Sequence, residues 1–272
     1  MKNISFGQYY PSGSLMHRLD PRMKLILAFV YIVCSFLARN VISYALLLAS
    51  AFILIALSRI PMSVIIRSVR PLLIILAFTV LINVFWTKGE TLLFEWRFIH
   101  IYLEGVMNAV FMLIRIFVLI IGTSLFLTYT TTPIELTDAI EQLFAPLKKI
   151  KVPVHEFAMM MTIALRFIPT LIDETDKIMS AQKARGADFT SGSLVDRAKA
   201  LVPILIPLFV SSFRRADELA TAMECRCYRG GEGRTRMSVL RYRGRDFAML
   251  LAVALFAALV IFLNILGIGY SM

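Results

Sequence analysis

Cysteine and histidine are scarce in this chain, with three residues of each type among 272. Three cysteines are too few for a disulfide framework, so we expect reduced thiols that face lipid or the cytoplasm. The first twenty residues contain no apolar core and no small-residue cleavage site, and we therefore expect no signal peptide. These absences exclude the class of small, disulfide-stabilised secreted proteins.

Common catalytic and nucleotide-binding motifs are missing too. A phosphate-binding loop needs a Gly-Lys pair, and none occurs. There is no His-Glu-x-x-His or Gly-x-Ser-x-Gly sequence, and His17, His100 and His155 lie on unrelated segments. Cys225 and Cys227 would point about 200° apart on a helix and have no second ligand pair. We predict no catalytic site, metal or cofactor, with a membrane-embedded enzyme as the less favoured alternative.

Apolar residues, in contrast, make up 58% of the chain. A soluble domain of this length could not bury so much apolar surface, so the composition indicates an integral membrane protein. Asp20 and Pro21 are a good helix start, as N-cap and first helical residue. Apolar runs that predict membrane helices cover residues 23–38, 41–58, 71–86, 105–128 and 247–266.

Charged residues are concentrated between these runs. Segment 148–245 has 18 Lys or Arg against 10 Asp or Glu, which excludes a series of membrane spans there. This segment, the residues before the first run and the loop after the second run carry most of the positive charge. The positive-inside rule therefore predicts a cytoplasmic N-terminus and an extracytoplasmic C-terminus in the plasma membrane. It also explains the net charge of +11, so we expect contacts with membrane lipids and not with nucleic acid.

Arg115 lies in the middle of the fourth apolar run. It is either a substrate or gating charge, or a structural donor to carbonyl groups of neighbouring helices. A conventional permease would line its own pathway with polar groups, of which the spans offer only Asn83, Asn108, Arg115 and a few hydroxyls. That function remains an alternative.

Two long amphipathic helices are predicted within segment 148–245. Apolar residues follow one helical stripe up to the sequence AQKARGAD, and a second pattern begins near Leu194. Pro169 should kink the first helix, whereas Pro203 and Pro207 should bend or break the second.

Both predicted helices end in similar charged sequences. Arg185 and Arg226 are 41 residues apart, and Asp176 and Asp217 lie nine residues before them. A single arginine at a helix end is an ordinary stop, because the helix dipole favours a cation there. The repetition indicates instead two similar receptors, each bound by a guanidinium group between small residues.

These sequences resemble the T component of energy-coupling factor transporters, the membrane scaffold of a class of ABC importers for vitamins and metal ions. The resemblance also includes YYPSGSLMHRLDPRMKL, TYTTTPIELTDAIEQLFAPL and ALRFIPTLIDE, and it covers most of the chain. It implies an all-α integral membrane protein with about five transmembrane helices and a cytoplasmic helical domain that contains two long coupling helices. The implied regions are membrane region 1–130, coupling region 131–245 and C-terminal transmembrane helix 246–272.

In this family two Ala-Arg-Gly motifs close the coupling helices and dock on two related cytoplasmic ATPase subunits. The first motif is matched in full, whereas the second keeps only its arginine, between two cysteines. Asp176 and Asp217 would support the arginines. The implied docking residues are Ala184, Arg185, Gly186, Cys225, Arg226 and Cys227.

The resemblance also implies a third partner, a small membrane subunit called the S component, which binds the substrate. The chain would then be a non-catalytic scaffold that transmits ATP-driven motion to this subunit for uptake of a vitamin or other micronutrient. Apolar residues of the coupling helices would contact it, namely Met160, Met161, Leu205, Leu208 and Phe209.

Overall fold

The computed structural model describes residues 9–87, 91–96, 99–189, 193–231 and 240–266, without the side chains of 92–96, 99–101 and 194. The helices of this part of the chain are α1 (Pro21–Leu37), α2 (Val41–Ser58), α3 (Met62–Val69), α4 (Leu73–Trp86), α5 (Leu103–Thr123), α6 (Pro133–Leu143), α7 (Val154–Ala184), α8 (Leu194–Cys225) and α9 (Gly244–Leu266). Short 3-10 turns cover Arg70–Leu72 and Ala145–Ile150, and a π-helical turn, Ser124–Thr128, extends α5.

An antiparallel hairpin interrupts the helices, in a stretch that lies between the predicted apolar runs 71–86 and 105–128. Strand β1 (Leu92–Trp96) pairs with β2 (Ile99–Tyr102), with Glu95 opposite His100. The hairpin connects α4 to α5 and leaves the helical character of the protein unchanged.

The chain divides into two compact units. Residues 6–139 and 239–272 form one, the membrane unit, and residues 140–238 form the other, the coupling unit. The division into regions 1–130, 131–245 and 246–272 stays a prediction.

Among the residues that the structure describes, five helical stretches are long and apolar enough to cross a membrane, as the all-α membrane class requires. Four of them agree with predicted runs. The predicted run 23–38 is not among the five, because α1 has 17 residues, one fewer than the shortest of these stretches. The remaining stretch is α7, which lies outside the predicted runs. The five stretches are Val41–Ser58, Met62–Trp86, Leu103–Thr128, Val154–Ala184 and Gly244–Leu266.

The core of the membrane unit lies between α1, α2, α5 and α9. Its buried side chains recur every three or four positions, such as Leu27 and Tyr31 on α1, because that spacing keeps them on one helix face. Gly122 on α5 lies against Tyr31, and a Cβ atom there would be 2.2 Å from the Tyr31 Cε1 atom. The two helices therefore approach closely only because this residue has no side chain.

Buried charged groups fix one end of this bundle. The Asp20 side chain accepts from the Arg22 N–H, which confirms the predicted N-cap of α1. The Asp20 N–H donates to Asp246 Oδ1 at the start of α9, at 2.9 Å. Lys24 Nζ donates to the Thr130 carbonyl, just after α5, at 2.6 Å. The starts of α1 and α9 and the end of α5 therefore meet at one end, which we call the basal end.

Two asparagines connect the same helices at the other end. Asn264 of α9 donates from Nδ2 to the Leu37 carbonyl at the end of α1. Asn40, before α2, donates from Nδ2 to the Leu263 carbonyl at 3.0 Å. Helices α1 and α9 consequently run in the same direction.

The coupling unit consists mainly of α7 packed on α8. Pro203 and Pro207 lie inside α8, which continues through both, so they do not break the helix, and the bend that the sequence also predicted there stays a prediction. Each proline removes one N–H donor, and the remaining hydrogen bonds of this long helix are sufficient to hold it. Pro169 likewise lies inside an unbroken α7.

Candidate functional site: two arginine-containing helix ends

Helix α7 ends in a Schellman motif around Arg185. Gly186 has a left-handed backbone with φ +89°, which glycine adopts without steric cost. Its N–H donates to the Lys183 carbonyl and the Ala187 N–H donates to the Gln182 carbonyl, both at 3.0 Å. This pair of bonds defines the motif and satisfies carbonyl groups that the helix end would leave open. Gly186 therefore closes α7 directly after the C-cap residue, Arg185.

Helix α8 ends in the same way around Arg226. Cys227 takes the left-handed conformation, with φ +55°. Its N–H donates to the Glu224 carbonyl at 2.8 Å, and the Tyr228 N–H donates to the Met223 carbonyl at 3.0 Å. Cys227 therefore occupies the position that Gly186 has in α7, although its Cβ atom makes this conformation unfavourable.

The correspondence extends back along both helices. Ser180 Oγ donates to the Asp176 carbonyl at 2.7 Å, and Thr221 Oγ1 donates to the Asp217 carbonyl at 2.9 Å. Each hydroxyl precedes its arginine by five residues. The aspartates are nine residues from the arginines, about 13 Å along a helix. The structure thus brings neither carboxylate to its arginine, and the supporting role of the two aspartates stays a prediction.

Both arginines are exposed, together with the residues on either side. Within the part of the chain that the structure describes, neither guanidinium group forms an ion pair or a hydrogen bond. A Cβ atom built on Gly186 would meet no other atom within 4 Å, so its backbone conformation, and not space within the chain, requires the glycine. The exposed residues are Ala184, Arg185, Gly186, Cys225, Arg226 and Cys227.

An ion pair between the two helices was not predicted from the sequence. Arg215 Nη2 lies 3.0 Å from Glu174 Oε2, and Ser211 Oγ also donates to Glu174. Glu174 precedes Arg185 by eleven residues and Arg215 precedes Arg226 by eleven, so equivalent positions of the repeat face each other. That equal spacing could have been used to predict the ion pair from the sequence.

A second link joins α6 to the start of α7 within the coupling unit. His155 Nδ1 lies 2.9 Å from Glu141 Oε1. Both residues line a cavity of about 250 Å³ that reaches Leu219 of α8. This link connects the first turn of α7 to α6.

The coupling unit exposes large apolar surfaces. Among its described residues, only three hydrophobic side chains are buried: Val154, Ala158 and Ile204. On α8, Phe209 and Phe213 contact each other edge to face at 4.7 Å between ring centroids, yet both are exposed. Such surfaces mark membrane or protein contacts. Of the predicted contact residues, Leu208 is half-buried and the exposed ones are Met160, Met161, Leu205 and Phe209.

Arg115 is engaged within the membrane unit. Its Nη2 donates to the Ala38 carbonyl at 3.2 Å and to the Tyr44 hydroxyl, and its Cζ lies 5.5 Å from the Tyr44 ring centroid. The guanidinium group thereby joins α5 to the turn between α1 and α2. This geometry favours the structural interpretation of Arg115 over that of a substrate or gating charge.

Comparisons with known proteins agree with the resemblance. A family model described as cobalt transport protein matches residues 12–237. The energy-coupling factor transporter transmembrane protein of Ruminiclostridium cellulolyticum is 57% identical over 246 residues, which is 90% of this chain and 91% of that protein. The protein of the same name from Clostridium kluyveri is 55% identical, covering 91% and 92%. That of Bacillus subtilis is 49% identical over 264 residues, covering 97% and 99%.

Proposed function

The chain belongs to the family of energy-coupling factor transporter transmembrane proteins, and we propose that it is the scaffold on which two related cytoplasmic ATPase subunits dock. The observation that supports docking is the pair of equivalent helix ends, each with an exposed arginine after the last helical turn. Two equivalent helix ends suit two equivalent binding sites, one on each ATPase subunit. ATP hydrolysis belongs to the partners, since the chain has no phosphate-binding loop, and the chain itself is non-catalytic.

The ion pair between α7 and α8 suits these helices to transmit motion. Glu174 and Arg215 connect the helices between their two arginine-containing ends and the apolar surface that includes Phe209. When the ATPases close, a displacement of one end then moves both helices together. Charge-assisted hydrogen bonds from Arg185 and Arg226 would hold the two helix ends on the ATPase subunits while force is transmitted.

The exposed apolar surfaces support a further partner, a small membrane subunit that binds the substrate. Met160 and Met161 would belong to that contact, with Leu205, Leu208 and Phe209. We propose that the substrate is a vitamin or a metal ion. The separate membrane subunit would bind the substrate and determine which one is taken up.

The proposed orientation has a cytoplasmic N-terminus and a cytoplasmic coupling unit. The positive-inside rule is one support. The other is the arrangement of the basal end, where the chain leaves the bundle of α1, α2, α5 and α9 near Thr130 and returns to it at Asp246. A segment that leaves and returns at the same end of the bundle crosses the membrane an even number of times. Helix α8 does not meet the conditions for a span, so α7 alone would give an odd number.

The docking proposal is tested with the double variant Arg185→Ala, Arg226→Ala. Loss of an interface arginine should cost about 2–4 kcal/mol, or roughly 30- to 1000-fold in affinity. We expect ATPase subunits to co-purify with the native chain and to be lost from the double variant, together with uptake of labelled vitamins or Co²⁺. Lysine at both positions should restore docking only in part, because an ammonium group lacks the planar guanidinium geometry.

The matched control is Arg197→Ala, Arg214→Ala, which removes two exposed arginines elsewhere on α8 and changes the net charge equally. It should retain both ATPase subunits. Full uptake by the Arg185→Ala, Arg226→Ala variant at equal expression would refute the docking role. Both arginines would then be ordinary residues of helix ends.

A further inference from the structure

Two adjoining cavities lie at the basal end of the membrane unit. The first, of about 300 Å³, lies between the segment before α1 and the end of α2, and Arg18 and Arg59 line it. The second, of about 280 Å³, extends along the first turns of α9, where Arg245 and Ala252 line it. Leu15 and Leu57 line both cavities, so the two are direct neighbours, and we refer to them together as the groove.

The groove combines cations with an apolar lining, since two arginines line the first cavity and one lines the second. Arg18, Arg59 and Arg245 are exposed, and within the described residues none of their guanidinium groups has an ion pair or a hydrogen bond. No carboxylate belongs to the described lining of either cavity. The remaining wall of the second cavity is leucine, methionine and alanine. Three unpaired cations beside an apolar channel complement a molecule with an anionic head and a hydrocarbon tail.

All three arginines lie at one level of the bundle. Ser12 Oγ donates to the Ser58 carbonyl at 2.8 Å, which holds the segment before α1 at the end of α2. The bond from the Asp20 N–H to Asp246 brings the start of α9 to the same end. The three arginines therefore lie where lipid head groups lie in one leaflet of a bilayer, and the apolar lining of the second cavity lies where acyl chains lie.

From this geometry we infer a specific site for an anionic glycerophospholipid. Its phosphate group binds between Arg18, Arg59 and Arg245, because guanidinium groups form paired hydrogen bonds with phosphate oxygens. One acyl chain lies along Leu57 and Ala252. Basic pockets between membrane helices at the cytoplasmic side bind such head groups. The site goes beyond the proposed function and does not depend on ATPase docking.

The test is native mass spectrometry of the full chain in a neutral detergent. Phosphatidylglycerol, phosphatidylcholine with the same acyl chains, and glycerophosphoglycerol without chains are added separately. We expect selective binding of phosphatidylglycerol. The triple variant Arg18→Gln, Arg59→Gln, Arg245→Gln should lower its affinity roughly 100-fold, since each basic residue near an anionic surface contributes about fivefold.

The matched control is Arg39→Gln, Arg67→Gln, Arg70→Gln, which has the same charge change at exposed arginines outside the groove. It should bind phosphatidylglycerol like the native chain. Ala252→Trp leaves the arginines in place and fills the channel, and we expect it to weaken lipid binding as well. Equal binding of the two lipids, an unchanged affinity in the triple variant or in Ala252→Trp, or equal binding of glycerophosphoglycerol would each overturn the inference.

Discussion

Gly186 and Cys227 occupy the same position in two helix ends, 41 residues apart, and each has a positive φ angle. Glycine adopts this conformation freely, whereas the Cβ atom of cysteine is crowded by the adjacent carbonyl oxygen. The end of α8 therefore keeps the geometry of the end of α7 at an energetic cost. The proposed docking surfaces share a backbone shape, although their side chains differ.

This relationship predicts that Cys227→Gly stabilises the end of α8 by about 1 kcal/mol. Hydrogen exchange at the amides of residues 227 and 228 should slow by about fivefold, because their hydrogen bonds open less often. Cys225→Gly is the control, since it places glycine at the last helical residue, where it is unfavourable. Faster or unchanged exchange in Cys227→Gly would show that the left-handed conformation of Cys227 carries no energetic cost.

The apolar runs and the helix ends were accessible from sequence because their signals are local. A long hydrophobic run determines a span, and Asp20 followed by Pro21 determines its start. The Ala-Arg-Gly sequence likewise contains the glycine that the left-handed position of the α7 end requires.

Contacts between distant segments were not accessible in this way. Asp20 and Asp246 are 226 residues apart, and nothing in the composition near either residue indicates the other. The β-hairpin between α4 and α5 was missed because its strands have only five and four residues, too few for their pattern to indicate strands. Pro203 and Pro207 do not break α8, since a long helix tolerates the loss of single hydrogen bonds.

The carboxylate of Asp246 is predicted to be essential for the basal end of the bundle. It accepts from the Asp20 N–H at 2.9 Å and from the Arg243 N–H at 2.7 Å, and it is buried. Asp246→Ala leaves both donors unsatisfied, which should cost about 2–5 kcal/mol. Thermal unfolding of the purified protein in detergent should shift to a clearly lower temperature. Asp217→Ala, at an exposed position, is the control and should leave unfolding unchanged.

Gly122→Ala is predicted to separate α1 from α5. The new Cβ atom would lie 2.2 Å from Tyr31 Cε1 and 2.5 Å from Cδ1, so either the Tyr31 ring or one of the helices must move. The expected destabilisation is about 1–3 kcal/mol, measured by thermal unfolding in detergent. Gly244→Ala is the matched control, because a Cβ atom there meets nothing within 4 Å. In a Tyr31→Ala background the effect of Gly122→Ala should largely disappear, and persistence of the full effect would show that Tyr31 is not the obstacle.

The proposed membrane topology makes a prediction for three positions, Arg39, Lys149 and Lys199. All are exposed and lie in the turn after α1, in the turn before α7 and near the start of α8. Single cysteines are placed there in a chain whose native cysteines are replaced by alanine. A membrane-impermeant maleimide should label position 39 in intact spheroplasts, and positions 149 and 199 only after the membrane is opened.

Labelling at positions 149 and 199 also tests whether α7, which is long and apolar enough to cross a membrane, does so. If α7 crossed alone, these two positions would be labelled from opposite sides. The bundle requires an even number of crossings between Thr130 and Asp246, because both lie at the basal end. We therefore expect identical labelling of the two positions, with α7 on the cytoplasmic side and its exposed Met160 and Met161 available to a partner. Labelling of position 199 from outside, with position 149 protected, would refute the cytoplasmic coupling unit and with it the docking of ATPase subunits on Arg185.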